Sequence, residues 1–221
     1  MNNKESKILP IVCYDSPILR SMGIEAENNE ETRYVIECLL KTMSSIKIAV
    51  GLAAQQINSN LNIFVMNPFH TTIPIIVVNP WIVKQRDIKT SGEGCLSLPG
   101  INEDIKRNSD IEVGFYDENF NKRRLKLKGW EAFVFLHEFD HLNGILFIDH
   151  MTKEGRESIQ DKLSDLANGR FKPKFDMVLN DIPLLTTEPS PLPNMINPYL
   201  DMIKEENEKI DKMLKNISNT V

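Results

Sequence analysis

Two histidines four residues apart, with a glutamate directly after the first, are the side chains of this sequence best suited to metal chemistry. They stand in the run His137-Glu138-Phe139-Asp140-His141. If this run is helical, the spacing puts both imidazoles on one face, within reach of a single metal ion. Glu138 would then be placed to take a proton from water bound to that ion. Such motifs also occur by chance on solvated helices, but apolar neighbours predict that this pair is buried, which favours a metal site.

A catalytic site of this kind needs a third protein ligand and leaves the fourth position to water. The metzincin pattern is excluded, because Phe147 stands where that pattern requires a histidine. Glu154 or Glu157 could complete a thermolysin-like metallopeptidase site. Alternatively, Cys95, which follows a glycine in a loop predicted after several strands, could complete a site of one sulfur and two nitrogens. A cysteine with two histidines suits Zn, Fe, Co or Ni.

The elements that must position these side chains follow from the spacing of apolar residues. The predicted elements are an extended arm at Leu9 to Arg20, helices at Glu30 to Ile46, Trp130 to Asn143 and Lys153 to Ala167, and strands at Asn62 to Met66, Ile75 to Val78 and Trp81 to Gln85, with a hairpin of Ile111 to Tyr116 and Arg123 to Lys128. A break is expected at Asn79-Pro80. Because helices and strands do not alternate along the chain, this order favours an α+β fold over a doubly wound sheet.

The composition is that of an ordinary globular chain of 221 residues with a net charge of −5. No apolar run approaches the ~18 residues of a membrane span, and the first residues lack a signal or transit pattern. We therefore expect no membrane contact and a cytoplasmic location. An acidic chain is a poor candidate for nucleic-acid binding through bulk charge. Three cysteines predict no disulfide framework, and Cys13 and Cys38 are expected to be buried packing residues.

The end of the chain differs from the rest in composition. Residues 170–198 hold six of the twelve prolines, which predicts a linker or a tail that lies on the surface. Residues 199–221 return to an amphipathic helical pattern. A helix this short needs a partner, so we expect it to pack on its own domain or to mediate dimerisation. Residues 1–169 would then form the catalytic domain.

A third short run is rich in small residues and ends in two amides. It reads Ala49-Val50-Gly51-Leu52-Ala53-Ala54-Gln55-Gln56, and taken alone it is typical of a tight connection between a helix and a strand. Together with Glu93-Gly94-Cys95-Leu96-Ser97 and the histidine run, in this order and at these separations, it resembles the three motifs of the peptide deformylase family. The resemblance extends from about Leu9 to about Gly169.

This resemblance implies a fold in which antiparallel or mixed sheets pack around a central helix that carries the HExxH motif. It also implies that Cys95, His137 and His141 hold one divalent metal ion. By similarity to the family, the native ion would be Fe2+, and Zn2+, Ni2+ or Co2+ could occupy the same site.

The implied reaction is removal of the formyl group from N-formylmethionyl nascent peptides, with release of formate. Glu138 would act as the general base and acid, while the side-chain amide of Gln56 and the backbone N–H of Leu96 would hold the oxyanion. The residues implied to line the methionine pocket are Val50, Gly51, Trp130, Phe133 and Val134. Plain core packing is an equally good interpretation of the two aromatic residues in that set.

Five positions near the motifs carry further expectations. Ala49 replaces the first glycine of its motif, and Leu136 replaces a glutamine that commonly precedes the first histidine. Both departures concern rate and specificity rather than the type of reaction. Glu93 is expected to pair with Arg107 and so hold the cysteine loop. Asp140 either accepts a hydrogen bond from a ring N–H or lies on the surface.

Two other classes of function stay open at this point. One is a metallopeptidase, and the other is a non-catalytic metal-binding module that associates with the ribosome. Basic side chains on the second hairpin strand could meet rRNA, although an exposed charged strand face is the favoured interpretation. These residues are Lys122, Arg123, Arg124, Lys126 and Lys128.

Overall fold

The computed structural model describes residues 6–171, 175, 177 and 178. The strands are β1 (Ile11–Val12), β2 (Gly51–Ala53), β3 (Ile63–Met66), β4 (Ile75–Cys95), β5 (Leu98–Tyr116), β6 (Lys122–Lys128) and β7 (Met177–Val178). The helices are α1 (Glu30–Ser45), α2 (Trp130–Leu142), α3 (Lys153–Ser158) and α4 (Gln160–Ala167). Strands β2 to β6 form one antiparallel sheet in sequence order, and β1 pairs in parallel with β7. The predicted α+β class is confirmed.

Helix α1 begins where its sequence signals predict. The Asn29 side chain accepts a hydrogen bond from the Thr32 backbone N–H at 2.9 Å, and Glu30 and Glu31 place negative charge at the positive end of the helix. The apolar face of the helix packs against β2 and β3. Residues 46–50 then lead directly into β2, which carries the run of small residues.

Helix α2 lies across the sheet and contacts β2, β3, β5 and β6. The Phe135 ring is fully buried and meets the Phe64 ring of β3 edge to face, with centroids 5.1 Å apart. Gly144 follows the helix with φ +68°, and a Cβ there would lie 2.6 Å from the Arg20 carbonyl oxygen. Glycine therefore ends the helix as predicted and also permits close contact with the N-terminal arm. The HExxH run therefore lies on a helix that packs against the sheet.

Strands β4 and β5 form a long two-stranded ribbon, and Cys95 is the last residue of β4. The predicted break at Asn79-Pro80 is wrong, because β4 continues through it with a register shift between Val78 and Trp81. Asn79 adopts φ +47°, and its side chain exchanges two hydrogen bonds of 2.8 Å with the Ala26 backbone. This bulge leaves Pro80, which has no N–H, outside the regular ladder.

Two further sequence predictions need correction. The helix predicted from Lys153 to Ala167 is interrupted at Ile159, whose buried side chain turns into the core with Leu163 and Leu166. The extended arm predicted from Leu9 to Arg20 contains β1 but ends in a 3-10 turn at Pro17–Arg20. Most of residues 170–198 and all of residues 199–221 lie outside the described residues. Within the described part, no helix has the length and apolar character needed to cross a membrane.

Candidate active site

Three predicted metal ligands converge at one end of the sheet. Cys95 comes from the end of β4, and His137 and His141 lie one turn apart on α2. Their ligand atoms all lie within 4.8 Å of one another, and Cys95 Sγ is 3.3 Å from His141 Nε2. Around a tetrahedral ion, a sulfur and an imidazole nitrogen would stand about 3.5 Å apart. The side chains are therefore arranged as such a site requires.

The glutamates of the metallopeptidase alternative lie elsewhere. Glu154 and Glu157 are exposed on α3, and Glu157 faces Lys153 at 3.9 Å. Neither belongs to the converging group of Cys95 and the two histidines. The structure thus offers the cysteine, and not a glutamate, as the third ligand.

Glu93 orients the first histidine. The Nδ1 of His137 lies 2.9 Å from Glu93 Oε2, so an N–H on Nδ1 donates to the carboxylate and leaves Nε2 available for a metal ion. Burial by itself would raise the pKa of Glu93, but hydrogen bonds from His137 and Arg107 lower that pKa to about 2. The carboxylate is therefore charged throughout the range in which the site could work.

Arg107 joins this carboxylate to Asp140 of α2. Its Nε and Nη2 donate to the two oxygens of Glu93 at 2.8 and 3.0 Å, and its Nη1 donates to Asp140. Asp140 also lies 2.7 Å from His150 Nε2. The predicted Glu93–Arg107 pair is present, and Asp140 is a buried acceptor rather than a surface residue.

The two histidines have opposite tendencies to hold a proton when no metal is bound. Burial lowers the pKa of both imidazoles, but contacts with Cys95 and Glu93 raise the pKa of His137 well above its usual value. For His141, burial is reinforced by the positive charges of His137 and Arg107, so its pKa lies well below the usual value. Two adjacent imidazoles cannot both be protonated here at low cost, and a bound cation would take the place of the extra proton on His137.

Glu138 is buried beside the predicted ligands. Its Oε2 has no hydrogen-bond partner among the described residues. The backbone of Gly51 in β2 packs against the other oxygen so closely that a Cβ at Gly51 would lie 2.4 Å from Oε1. Burial raises the pKa of Glu138 to about 7, although the nearby His137 opposes the shift. A carboxyl with this pKa can both accept and release a proton near neutral pH.

Gln56 holds its amide toward the cysteine. Its Oε1 accepts a hydrogen bond from the Ala53 N–H at 2.9 Å, which fixes the orientation of the side chain. Its Nε2 lies 3.4 Å from Cys95 Sγ and 3.3 Å from Ser97 Oγ. Leu96 lies in the turn between β4 and β5, next to the cysteine, and lines the same cavity as Gln56. The amide donor and this turn therefore border one space.

That space is a cavity of about 460 Å³. The five residues implied to form a methionine pocket all line it: Val50, Gly51, Trp130, Phe133 and Val134. Trp130 is 42% exposed, with its indole N–H donating to the Pro68 carbonyl at 2.8 Å, and Phe133 is half-buried. Neither aromatic side chain is confined to the core, so the alternative of plain core packing loses support.

A family model described as polypeptide deformylase matches residues 8–157. The chain belongs to the polypeptide deformylase family. A peptide deformylase of Chlorobium limicola is 35% identical over 178 residues, covering 78% of this chain and 96% of the relative. One from Flavobacterium psychrophilum is also 35% identical and covers 78% of this chain and 97% of the relative.

Solved structures of peptide deformylases share the fold. A Plasmodium falciparum peptide deformylase in complex with an inhibitor is 37% identical, with a TM-score of 0.65, and the match covers 72% of this chain and 99% of that one. A Legionella pneumophila peptide deformylase gives 30% identity and a TM-score of 0.69, covering 76% of this chain and 100% of that one.

The residues at the site fit the metal ion on which the deformylase family depends. A thiolate and two imidazoles form a donor set that suits iron, zinc, cobalt or nickel. The unpartnered, buried Oε2 of Glu138 offers an acceptor for water held by such an ion. Ala49, which replaces a family glycine, has no positive φ, so the substitution causes no backbone strain. Leu136 is buried in the core, where an apolar side chain is suited to its surroundings.

Sequence reasoning missed three contacts of the site. It did not connect Glu93 with His137, because a contact between β4 and α2 leaves no local pattern. Ser97 was part of the recognised cysteine run, yet its contact with Gln56 was not expected. Phe175 also lines the cavity, although its segment was interpreted as a linker or surface tail. Only the position of Ser97, two residues after the cysteine, could have indicated a role.

Proposed function

We propose that this chain acts as a metal-dependent peptide deformylase through Cys95, His137, His141 and Glu138. The observation that carries the proposal is the convergence of one sulfur and two imidazoles at the wall of an apolar cavity, beside a buried carboxyl whose Oε2 has no hydrogen-bond partner among the described residues. The substrate would be the N-formylmethionyl end of a nascent peptide, and the products would be formate and a free peptide amine.

The metal would be a single divalent ion held by Cys95, His137 and His141. Fe2+ is the proposed native ion, with Zn2+, Ni2+ and Co2+ able to occupy the same donor set. When bound, the ion lowers the pKa of a water molecule toward neutrality and polarises the formyl oxygen. The hydrogen bond from His137 Nδ1 to Glu93 keeps the opposite ring nitrogen turned toward the ion. A thiolate ligand also makes the site sensitive to oxidation.

Glu138 would move the protons of the reaction. Its carboxylate takes a proton as the water oxygen bonds to the formyl carbon, and later delivers that proton to the peptide nitrogen as the C–N bond breaks. In the metal-free site burial raises the pKa of this carboxyl, which favours its role as a proton acceptor. Because Gly51 packs against Oε1, the carboxyl has little freedom to leave the position in which it meets the water.

Gln56 and Leu96 would stabilise the negative charge that develops on the formyl oxygen. The Gln56 amide is fixed by Ala53 with its N–H groups facing the cysteine. The Leu96 backbone N–H is the second proposed donor, from the turn after β4. Donors that are already oriented need no rearrangement as the charge forms.

The methionine side chain would occupy the apolar part of the cavity. Val50, Gly51, Trp130, Phe133 and Val134 are the proposed contacts, and together they provide aliphatic and aromatic surface. Aromatic rings also make favourable contacts with thioether sulfur. This combination favours methionine over a polar first residue.

The proposed setting is the cytoplasm, where nascent chains emerge. Ribosome contact would involve the basic edge strand β6. Arg124 pairs there with Glu112 at 2.8 Å, and Lys128 lies 3.7 Å from Asp110. These pairs neutralise part of the positive strip, which favours a solvated strand face over a dedicated RNA surface. The helix predicted at residues 199–221, which we propose packs on its own domain or mediates dimerisation, lies outside the described part of the chain.

The test of the proposed function is formate release from a formyl-methionyl tripeptide by the full-length protein, loaded with Ni2+ or handled anaerobically with Fe2+. Glu138→Gln should lower kcat by about 10²- to 10⁴-fold, whereas Glu131→Gln on the same helix should leave it unchanged. Absence of turnover by the metal-loaded wild type would refute the proposal. Cleavage of an internal peptide bond would favour the metallopeptidase alternative, and metal binding without any turnover would favour the non-catalytic module.

A further inference from the structure

The segment that follows α4 returns to the active-site cavity. Phe175 is one of the residues that line this cavity, with Leu96 and Gly100. Two residues later the chain forms β7, where Met177 pairs with Ile11 of β1. The family model ends at residue 157, so this part of the cavity wall comes from outside the matched region.

Phe171 supports the same placement of the segment. Its Cε2 lies 3.0 Å from the position that a Cβ would take on Gly100, another residue that lines the cavity. Gly100 has φ +81°, so a side chain at this position would be strained and would also meet the ring. Two aromatic residues of one short segment therefore contact the cavity or its lining, and β7 anchors the segment to the N-terminal arm.

The Phe175 ring packs against the core on one side and borders the cavity on the other. The ring packs against the core cluster that includes residues of α1, β2 and β3, but the side chain is only half-buried and borders the cavity. An aromatic ring held in this way presents a large apolar surface at little cost in side-chain entropy. Such a surface fits an aliphatic or thioether side chain of a ligand.

We propose that Phe175 is a substrate-binding residue whose ring forms one wall of the cavity and contacts an apolar side chain of the formylated peptide. The identity of the peptide rests on the proposed function. The contact strengthens binding of the substrate and of the transition state equally, because the ring contacts no group that changes charge. Its removal should therefore raise KM and leave kcat nearly unchanged.

The experiment compares wild type, Phe175→Ala, Phe175→Leu and Phe120→Ala, all full-length and metal-loaded. Phe120 is the matched control, since it is also a half-buried ring packed against the same core cluster but does not line the cavity. We expect Phe175→Ala to raise KM about tenfold, with kcat within about twofold of wild type. Phe175→Leu should recover most of the affinity, and Phe120→Ala should match wild type. Equal KM values for Phe175→Ala and Phe120→Ala would overturn the proposal.

A binding measurement separates this inference from the proposed function. Calorimetry with the unformylated methionyl tripeptide requires no turnover, and Phe175→Ala should bind it about tenfold more weakly than Phe120→Ala does. If Phe175→Ala binds this peptide more weakly than Phe120→Ala but the wild type releases no formate from the formylated one, the proposed function fails and the role of Phe175 stands. If the wild type turns over and both variants bind equally, the function stands and the role of Phe175 is wrong. If the metal-loaded wild type shows no binding and no turnover, the proposed function and the role of Phe175 are both wrong.

Discussion

Replacing Glu93 with glutamine tests whether a buried carboxylate positions the first metal-binding histidine. Glu93 accepts hydrogen bonds from Arg107 Nε at Oε1 and from Arg107 Nη2 and His137 Nδ1 at Oε2. Glutamine has nearly the same shape but only one oxygen. With that oxygen at the Oε2 position, the hydrogen bonds from Arg107 Nη2 and His137 Nδ1 survive. The new NH2 group then takes the Oε1 position, where it cannot accept the hydrogen bond from Arg107 Nε. The substitution therefore removes one charge-assisted hydrogen bond and the negative charge between two cationic groups.

Two approaches give the same loss of folding stability for Glu93→Gln. A hydrogen bond to a charged group contributes about 1.5 to 3 kcal/mol. The difference between the usual pKa of 4.5 and the folded value of about 2 for Glu93 corresponds to about 3 kcal/mol of stability. Because this pKa is lowered in the folded state, the contribution is complete above pH 4.5 and is lost as the pH falls toward 2. At pH 7 we expect Glu93→Gln to lower the free energy of unfolding by about 2 to 3 kcal/mol.

The assay is urea unfolding of the metal-free protein at pH 7, together with a metal competition titration. The hydrogen bond from His137 Nδ1 would then be made to a neutral amide oxygen instead of a carboxylate, which holds the imidazole less firmly, so metal binding should weaken about 10- to 100-fold. Glu112→Gln is the matched control, because it makes the same change in the ion pair with Arg124, whose side chain is 62% exposed. The control should cost less than about 1 kcal/mol and leave metal affinity unchanged. If the two variants behave alike in both measurements, the positioning role of Glu93 is refuted.

Three further predictions concern the proton-transfer and oxyanion groups. Gly51→Ala would place a Cβ 2.4 Å from Glu138 Oε1, so the carboxyl must shift and kcat should fall about 10- to 100-fold; an unchanged kcat would contradict the close packing. Gln56→Leu should lower kcat about 10²- to 10³-fold with one metal still bound per chain, whereas loss of metal in elemental analysis would instead make Gln56 a structural support of Cys95. In metal-free protein the pKa of Glu138 is raised to about 7, so its stabilising contribution is present below pH 4.5 and is lost as the pH rises through 7. The stability difference between wild type and Glu138→Gln should thus fall by up to about 3 kcal/mol between these pH values, and a flat difference in urea titrations would count against burial of this carboxyl.

Local patterns were sufficient to predict several of the elements around the site. Helix α1 has its cap and acidic first turn in the sequence, and Gly144 ends α2 where expected. The β5–β6 hairpin follows the predicted alternation of its strands. The convergence of Cys95, His137 and His141 was expected from the family motifs, although the residues alone left Glu154 and Glu157 as alternatives to the cysteine.

Features that depend on distant contacts could not be predicted. Strand β4 passes through Pro80 because Asn79 bonds to the Ala26 backbone, a contact 53 residues away along the chain. Glu93 reaches His137 across 44 residues, from a strand to a helix. The aromatic residue that completes the cavity wall, Phe175, stands in a segment whose prolines indicated only a linker. In each case the deciding interaction joins elements that the sequence presents separately.

The central claim is that Cys95, His137 and His141 bind one metal ion together. X-ray absorption spectroscopy of the full-length protein loaded with Zn2+ tests it most directly. We expect one sulfur at about 2.3 Å and two imidazole nitrogens at about 2.0 Å, with the sulfur contribution absent in Cys95→Ala and retained in Cys38→Ala. A first coordination sphere of nitrogen and oxygen alone in the wild type would show that Cys95 is not a ligand.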